Sequence, residues 1–208
     1  MLLLAVFLTF ATRFYNLGIV PAGLYLDEAA QGYNAYSILL TGKDEFGKIF
    51  PAAFRSFADF KTPVYIYLIA PLIPLFGLTA FTVRFPSFLA SVLTIPVLFL
   101  LIRKLIPNQK LGLPLSSLTV LLLAISPWHI LFGRTNFETN VALLFFLTGI
   151  YLFYLGLVKP LYLILSGIVL AIALPAYHSE RLLVPLTILY FVFRVGRKLI
   201  KKPLLPPT

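Results

Sequence analysis

The chain has 208 residues, of which 60% are hydrophobic, with a mean hydropathy of +0.97 and a formal net charge of +10. This apolar content exceeds the roughly 45–50% of soluble domains, and several runs approach the roughly 17–25 residues that cross a bilayer, which excludes an ordinary soluble protein. Cysteine is absent, which excludes disulfides and thiol chemistry, and the basic residues mostly flank apolar segments, which favours membrane topology over nucleic-acid binding as the origin of the charge.

The first membrane helix is predicted over residues 1–15. Further apolar stretches follow, separated by polar or Pro/Gly-bearing joints: Val64–Leu78, Phe85–Ile102, Leu111–Phe132, Val141–Val158, Leu161–Ala176 and Leu182–Val195. The stretch Val64–Leu78 is short, and it is interrupted by Pro71 and Pro74, each of which removes a helix hydrogen bond. It therefore either spans or remains on one side of the membrane, at the interface or as a re-entrant segment.

The distribution of charge decides between these two topologies. If Val64–Leu78 stays outside, the inner joints carry only basic residues: Arg103, Lys104, Lys110, Lys159, Arg194, Arg197, Lys198, Lys201 and Lys202. All acidic residues then lie outside, in keeping with the enrichment of Lys and Arg in inner loops. We therefore predict an all-α, polytopic bundle of about six membrane helices, with a long external first loop over about residues 16–84 that carries interfacial helices.

The acidic pair Asp27-Glu28 follows the first helix closely, in a chain with only seven acidic residues. The predicted topology places further charged and polar side chains on the same outer side: Asp59, Lys61, Arg84, Arg134, Glu138, Tyr177, His178, Glu180 and Arg181. Ionisable groups near hydrocarbon are costly and usually face a bundle interior or a wet cavity. Carboxylates beside several cations predict a site for an anionic, phosphate-bearing substrate, with a general base or metal ligand nearby.

Each of these groups also has a purely structural interpretation. Asp27 and Glu28 suit the first turn of a helix, where acids are favourable. Arg134 and Glu138 are four residues apart and would form a salt bridge if they shared a helix. Arg84 would start a helix and anchor it at the headgroups. Tyr177 would lie in the aromatic belt at the headgroup level, and His178 and Glu180 would be solvated in a loop.

Four segments occur in a particular order: Leu26-Asp27-Glu28-Ala29, Asp59-Phe60-Lys61-Thr62-Pro63, the run 77–87 with Arg84, and Ser126-Pro127-Trp128 followed by Arg134 and Glu138. In this order they resemble the motifs of GT-C type integral-membrane glycosyltransferases. The closest branch is that of the dolichyl-phosphate-mannose–protein mannosyltransferases and the bacterial aminoarabinose transferases. The second segment is similar to the family's acid-x-Lys-Pro-Pro, from which Thr62 departs, and the third to its G-x-x-x-F-x-x-R-x-P-S.

The resemblance covers nearly the whole chain but only the N-terminal half of a typical family member. It implies a GT-C-like transmembrane module over residues 1–195. A basic cytoplasmic linker over residues 196–208 is then expected to lead to a further C-terminal half.

The resemblance also implies a chemistry. The donor would be a sugar on a polyprenyl or dolichyl phosphate, the acceptor a hydroxyl of a protein, lipid or glycan, and the anomeric carbon would be inverted. Asp27 would be the general base and Glu28 would support it. Substrate would contact Asp59, Lys61, Arg134, Glu138, Tyr177, His178 and Arg181. Three roles are open to Glu138, which would orient the acceptor, orient Arg134 or bind a divalent metal, and no other cofactor is expected.

The predicted site faces the outside of the plasma membrane in a prokaryote or the lumen of the endoplasmic reticulum in a eukaryote. Membrane lipids are expected partners and nucleic acid is not. The alternative function is a transporter or lipid-handling protein, in which charges at membrane depth are also expected. The sequence shows no internal repeat, and its charges cluster at one face instead of the midplane, which favours the enzyme. A non-catalytic scaffold would leave this clustering unexplained.

Overall fold

A computed structural model describes residues 1–56, 59–107 and 114–200, with side chains up to residue 194. The helices are Leu2–Phe14 (α1), Leu26–Thr41 (α2), Pro63–Ile69 (α3), Ile73–Phe76 (α4), Ala80–Leu105 (α5), Leu115–Ile125 (α6), Pro127–Arg134 (α7), Glu138–Gly156 (α8), Leu161–Ala173 (α9) and Glu180–Ile200 (α10). Two short strands, Phe54–Ser56 (β1) and Asp59–Lys61 (β2), lie between α2 and α3.

The chain is mainly helical, as predicted from its apolar stretches. The sequence analysis did not predict the antiparallel hairpin of β1 and β2, in which Phe54 pairs with Lys61 and Ser56 with Asp59. Strands of three residues are too short to show a period-two hydrophobic pattern. The last residues of the predicted linker, 201–208, lie outside the described residues, as does Lys110, and no side chain is described for Arg197 or Lys198.

In the described part of the chain, α5 and α8 are long and apolar enough to cross a membrane. The pair α6 and α7 passes the same test together but is bent by 58°, so that it forms at most one broken span. The break follows Ser126, where Pro127 lacks the backbone donor that a continuous helix needs. The predicted stretch Leu111–Phe132 therefore divides into two helices, and the number of six spans stays a prediction.

The segment Val64–Leu78 is interrupted where the sequence analysis expected it. A 3₁₀ turn over Ala70–Leu72, which contains Pro71, separates α3 from α4. Gly77, with a φ of 71°, then ends α4 in the left-handed region. The chain afterwards returns to the end of the bundle from which it left α1, since Arg84 in α5 hydrogen-bonds the carbonyl of Leu17 at 3.1 Å.

Helix α5 lies at the centre of the described bundle and packs against α1, α3, α6, α7 and α8. Its partner α8 pairs closely with α9, because Gly149 leaves room for the side chain of Leu170. A buried cluster around Tyr65, Ile69 and Val83 holds α3 against α5. This packing brings the end of α1 and the starts of α2, α5 and α8 to one end of the molecule, where the acidic pair lies.

Candidate active site

The acidic pair lies in the first turn of α2, as the structural interpretation of the sequence expected. Tyr25 precedes the helix with extended backbone, and its N–H donates to Oε2 of Glu28 at 3.3 Å. This contact satisfies a donor that a helix start would otherwise leave unpaired. Successive residues of a helix point about 100° apart, so the neighbouring carboxylates of Asp27 and Glu28 face different surroundings.

Glu28 is 0% exposed and is bound by donors on both carboxylate oxygens. The Arg84 guanidinium donates from Nε to Oε1 at 2.9 Å and from Nη2 to Oε2 at 3.0 Å. The backbone N–H of Asn136 donates to Oε1 at 2.9 Å. This bidentate, charge-assisted pairing is the strongest way to hold a buried carboxylate. Glu28 is therefore a buried anchor, and its lone pairs are already engaged.

Arg84 also holds the turn that leads from α1 into α2. Its Nη1 donates to the carbonyls of Leu17 at 3.1 Å and Pro21 at 3.0 Å, and its Nη2 donates to that of Gly23 at 2.6 Å. A guanidinium has five N–H donors in a rigid fork, which suits such multiple contacts. The interpretation of Arg84 as a headgroup anchor at a helix start is therefore wrong, because this side chain is buried and organises the acidic pair.

The position of Arg84 depends on a tyrosine from α3. Pro86 lies two residues after Arg84 in α5, and at this point the Tyr65 hydroxyl takes the place of a helix hydrogen bond. It donates to the carbonyl of Val83 at 3.0 Å and accepts from the N–H of Ser87 at 3.1 Å. Those two backbone groups would pair with each other in a regular helix. Tyr65 thus links the interrupted segment to the turn that carries Arg84.

Asp27 lies in a more open environment, with 38% of its side chain exposed. Its Oδ1 accepts from Nζ of Lys61, in β2, at 2.9 Å. The next residue, Thr62, donates from its buried hydroxyl to the carbonyl of Ala176 at 3.0 Å. This bond connects the Asp27–Lys61 pair to the turn between α9 and α10, which begins the segment with Tyr177.

Glu138 starts α8 and is bound by a residue of α2 that the sequence analysis did not select. Nε2 of Gln31 donates to Oε1 of Glu138 at 2.6 Å. Gln31 lies four residues after Asp27 and three after Glu28, so the helical period was the signal that would have found it. The carboxylates of Asp27, Glu28 and Glu138, from distant parts of the sequence, are thereby brought to the start of α2.

Tyr25 completes this cluster from the loop before α2. Its hydroxyl donates to the carbonyl of Asn136 at 2.8 Å. Burial raises the pKa of the phenol well above its usual range, and the nearby carboxylates of Glu28, Glu138 and Asp27 raise it further. The hydroxyl therefore remains protonated and continues to donate over the whole physiological pH range.

Several amide atoms in this cluster have no partner among the residues that the structure describes. They are Oε1 of Gln31 and both Nδ2 and Oδ1 of Asn136, all buried. Buried polar atoms are almost always satisfied by protein or by ordered water, so such positions suit a water molecule or a substrate hydroxyl. Asn136 belongs to the Arg134–Glu138 segment that the sequence analysis selected, but its own role was missed.

The structure places the other predicted residues apart from this cluster or binds them to backbone. Arg134 donates to carbonyls at the end of α1 and in the following turn, and it lies on a different helix from Glu138, so the alternative of a salt bridge within one helix is wrong. Asp59 is exposed and accepts from the N–H of Phe60 at 2.7 Å. Tyr177 packs its ring edge-on against His178, and His178 and Arg181 are exposed.

The described residues contain no group of three or more His, Cys, Asp or Glu side chains arranged to hold a metal ion. The carboxylates instead have protein donors: Lys61 for Asp27, Arg84 for Glu28 and Gln31 for Glu138. The arrangement therefore combines one accessible carboxylate beside an ammonium group with two acids held by hydrogen bonds.

Comparison with known proteins identifies the family. No curated protein and no solved structure matches the chain. A model of the family described as dolichyl-phosphate-mannose-protein mannosyltransferase matches residues 60–206, which is more than half of the sequence. This family consists of membrane glycosyltransferases, in agreement with the apolar helices and with the resemblance seen in the sequence motifs. The chain belongs to the dolichyl-phosphate-mannose-protein mannosyltransferase family.

Proposed function

We propose that this protein transfers a sugar from a polyprenyl-phosphate or dolichyl-phosphate carrier to a hydroxyl acceptor at the outer or lumenal membrane face, with inversion. The observation that carries the proposal is the contrast within the acidic pair. Asp27 is partly exposed beside Lys61, whereas Glu28 is buried and fully engaged. A general base must be reached by the proton that it accepts, and only Asp27 of the pair meets this condition.

In the proposed reaction, an oxygen of Asp27 accepts the proton of the acceptor hydroxyl. The acceptor oxygen forms a bond to the anomeric carbon while the bond from that carbon to the carrier phosphate oxygen breaks. The electron pair of the broken bond leaves with the phosphate. Lys61 has three donors, of which one binds Asp27 at 2.9 Å, so the remaining two are suited to the departing phosphate oxygens.

The other residues of the cluster then position this reaction. Glu28 and Arg84 hold the start of α2, so that Asp27 is presented at a fixed place. Glu138 and Gln31 offer a carboxylate and an amide at the same end of the molecule. Both groups are suited to bind hydroxyl groups of the sugar or of the acceptor substrate. Thr62, next to Lys61, binds the carbonyl of Ala176 at the start of the segment that contains Tyr177, His178 and Arg181, from which these side chains would contact the donor.

The central test is Asp27→Asn, scored as transfer of labelled mannose from dolichyl-phosphate mannose in membranes that contain the full-length protein. Loss of a general base typically costs about 10²–10⁴-fold in rate, and we expect a decrease in this range. The matched control is Glu45→Gln, at an exposed acid of the same loop that accepts a hydrogen bond from Asn34. Normal transfer by a correctly inserted Asp27→Asn protein would refute the assignment of the base.

The proposed face of the membrane has a separate test. The chain has no cysteine, so Thr79→Cys creates a single thiol at the exposed start of α5. An impermeant maleimide should label it from outside intact cells, or from the lumenal side of microsomes. Labelling from the cytoplasmic side alone would contradict the external position of residues 16–84.

A further inference from the structure

Two arginines beside the acidic cluster each lie at the end of a helix. Arg13 is in the last turn of α1 and is 0% exposed, and Arg134 is the last residue of α7. The last four carbonyls of any helix have no partner within that helix, and they carry partial negative charge. Arginine side chains near a helix end are well suited to bind such carbonyls.

Arg13 binds the end of α6 and the start of α7. Its Nη1 donates to the carbonyl of Ala124 at 2.8 Å, and its Nη2 lies 3.4 Å from the carbonyl of Leu123. Nη2 also lies 2.8 Å from Nδ1 of His129, on α7. Arg13 therefore bridges the two helices across their break at Pro127.

Arg134 makes the reverse connection, from α7 back to α1. Its Nη1 donates to the carbonyl of Thr12 at 2.7 Å, and its Nη2 donates to that of Val20 at 3.0 Å. Thr12 belongs to the last turn of α1, and Val20 to the loop that leads to the acidic pair. The preceding residue, Gly133, permits this close approach, because a Cβ there would overlap Oγ of Ser91, in α5, and would lie 3.1 Å from Cγ of Arg13.

We propose that Arg13 and Arg134 act together as a reciprocal clamp that positions the link between α7 and α8 against the acidic pair. This link contains Asn136, whose N–H binds Glu28 at 2.9 Å and whose carbonyl accepts from Tyr25 at 2.8 Å. It also sets the start of α8 and therefore the place of Glu138. Both arginines are positioning residues, and Arg13 acts without reaching any substrate because it is fully buried.

The clamp differs from a phosphate-binding role for Arg134. A phosphate ligand would act alone and would affect the affinity for the donor. A clamp requires that a change at Arg13 disturbs the link between α7 and α8, although none of the hydrogen bonds described for Arg13 reaches that link. It also requires that lysine fails at either position, since an ammonium group lacks the planar fork that binds two carbonyls.

Thiol labelling tests the clamp in a way that does not depend on the proposed transfer activity. Thr135→Cys places one buried thiol in the α7–α8 link of the cysteine-free chain, at a residue that is 6% exposed. In native membranes we expect Arg13→Lys to raise its rate of reaction with N-ethylmaleimide at least tenfold. Leu17→Cys reports on the loop after α1 in the same way, and Arg134→Lys should raise its rate to a similar extent.

Arg55→Lys, at an exposed arginine of β1, is the control and should leave both rates within twofold. Gly133→Ala supplies a second variant that retains both arginines and moves α7 away from Ser91 and Arg13, and it should also expose the thiol at position 135. If Arg13→Lys and Gly133→Ala both leave that thiol protected, the clamp is refuted, whatever the protein catalyses.

Kinetics distinguish positioning by Arg134 from direct binding of the donor, and this test rests on the proposed function. Both lysine variants should lower kcat at least tenfold while KM for dolichyl-phosphate mannose stays within twofold. The double variant should be no slower than the slower single one, because residues that act as one unit are not additive. A raised KM in Arg134→Lys alone would instead make Arg134 a donor ligand and overturn the clamp.

Discussion

Asp27 and Glu28 are neighbours in the sequence, yet their ion pairs lie in two different environments at the same end of the molecule. The Asp27–Lys61 pair is partly open to solvent, with 38% and 20% of its side chains exposed. The Glu28–Arg84 pair is enclosed, with 1% of each side chain exposed. Both pairs have the same 2.9 Å separation of nitrogen and oxygen, so this distance alone does not distinguish them.

One acid of the pair therefore has a structural role, and the other remains available for chemistry. A buried charge is tolerated only where several donors replace its lost hydration, as Arg84, Asn136 and Tyr25 do for Glu28. A pair that is partly open to solvent contributes less to stability than a buried one, and its members are available for another purpose. Breaking each pair in turn should therefore affect different properties of the protein.

The largest expected effect on stability follows from Arg84→Met, which leaves Glu28 buried and without its cation. Removing one partner of a buried ion pair typically costs about 3–5 kcal/mol. We expect a loss of this size in the free energy of unfolding, measured on the purified protein in mild detergent. The double variant with Glu28→Gln should recover part of the loss, and a single variant within about 1 kcal/mol of the wild type would contradict the anchoring role.

Lys61→Met should have the opposite profile. Exposed ion pairs are worth about 0.2–1 kcal/mol, so the free energy of unfolding should fall by less than about 1 kcal/mol. Transfer from dolichyl-phosphate mannose should nevertheless fall at least tenfold if Lys61 stabilises the leaving phosphate. Lys48→Met, at an exposed lysine of the same external loop, is the matched control. Equal activities of the two variants would remove Lys61 from the proposed mechanism.

Ionic strength should affect the stability contributions of the two ion pairs differently. The Debye length falls from about 30 Å at 0.01 M salt to about 3 Å at 1 M, and exposed pairs are screened far more than buried ones. The difference in stability between wild type and Lys61→Met should therefore shrink as salt is added. The difference for Arg84→Met should persist, and its disappearance at 1 M salt would show that the Glu28–Arg84 pair is accessible to solvent.

The smallest effect is expected for Asp59→Asn. The exposed carboxylate of Asp59 accepts a hydrogen bond from the neighbouring N–H of Phe60, and an asparagine oxygen can accept the same bond. Transfer activity should change by less than twofold. A tenfold loss of transfer activity with unchanged protein level would instead support the substrate contact that the sequence motif implies for Asp59.

Much of the helical organisation was predictable from local chemistry. Pro71 lies in the interruption of the predicted stretch Val64–Leu78, and Pro74 lies in the first turn of α4 that follows it, because proline lacks the backbone donor that a helix interior needs. Pro127 has the same effect between α6 and α7, although the predicted stretch continued through it. The short hairpin escaped prediction, since its pairing between Phe54 and Lys61 is a tertiary feature of the loop.

The candidate site was only partly predictable. Asp27, Glu28, Lys61 and Glu138 were selected from scarce charges and motif order, and the structure brings them to one end of the molecule. Gln31 was missed because a polar residue within a helix carries little signal by itself. Arg134 was selected for its charge. The partners that it binds are backbone carbonyls, which every residue has, so they could not be predicted from the types of side chain.

Hydropathy and charge are local properties, so the amino-acid sequence was enough to predict a helical membrane protein with an acidic pair after its first helix. Which acid of the pair is buried could not be predicted in this way. That choice depends on Arg84, 56 residues away, and on the N–H of Asn136, 108 residues away. A carboxylate loses its hydration only when distant segments pack around it, and their donors then fix which of the two carboxylates is left available for chemistry.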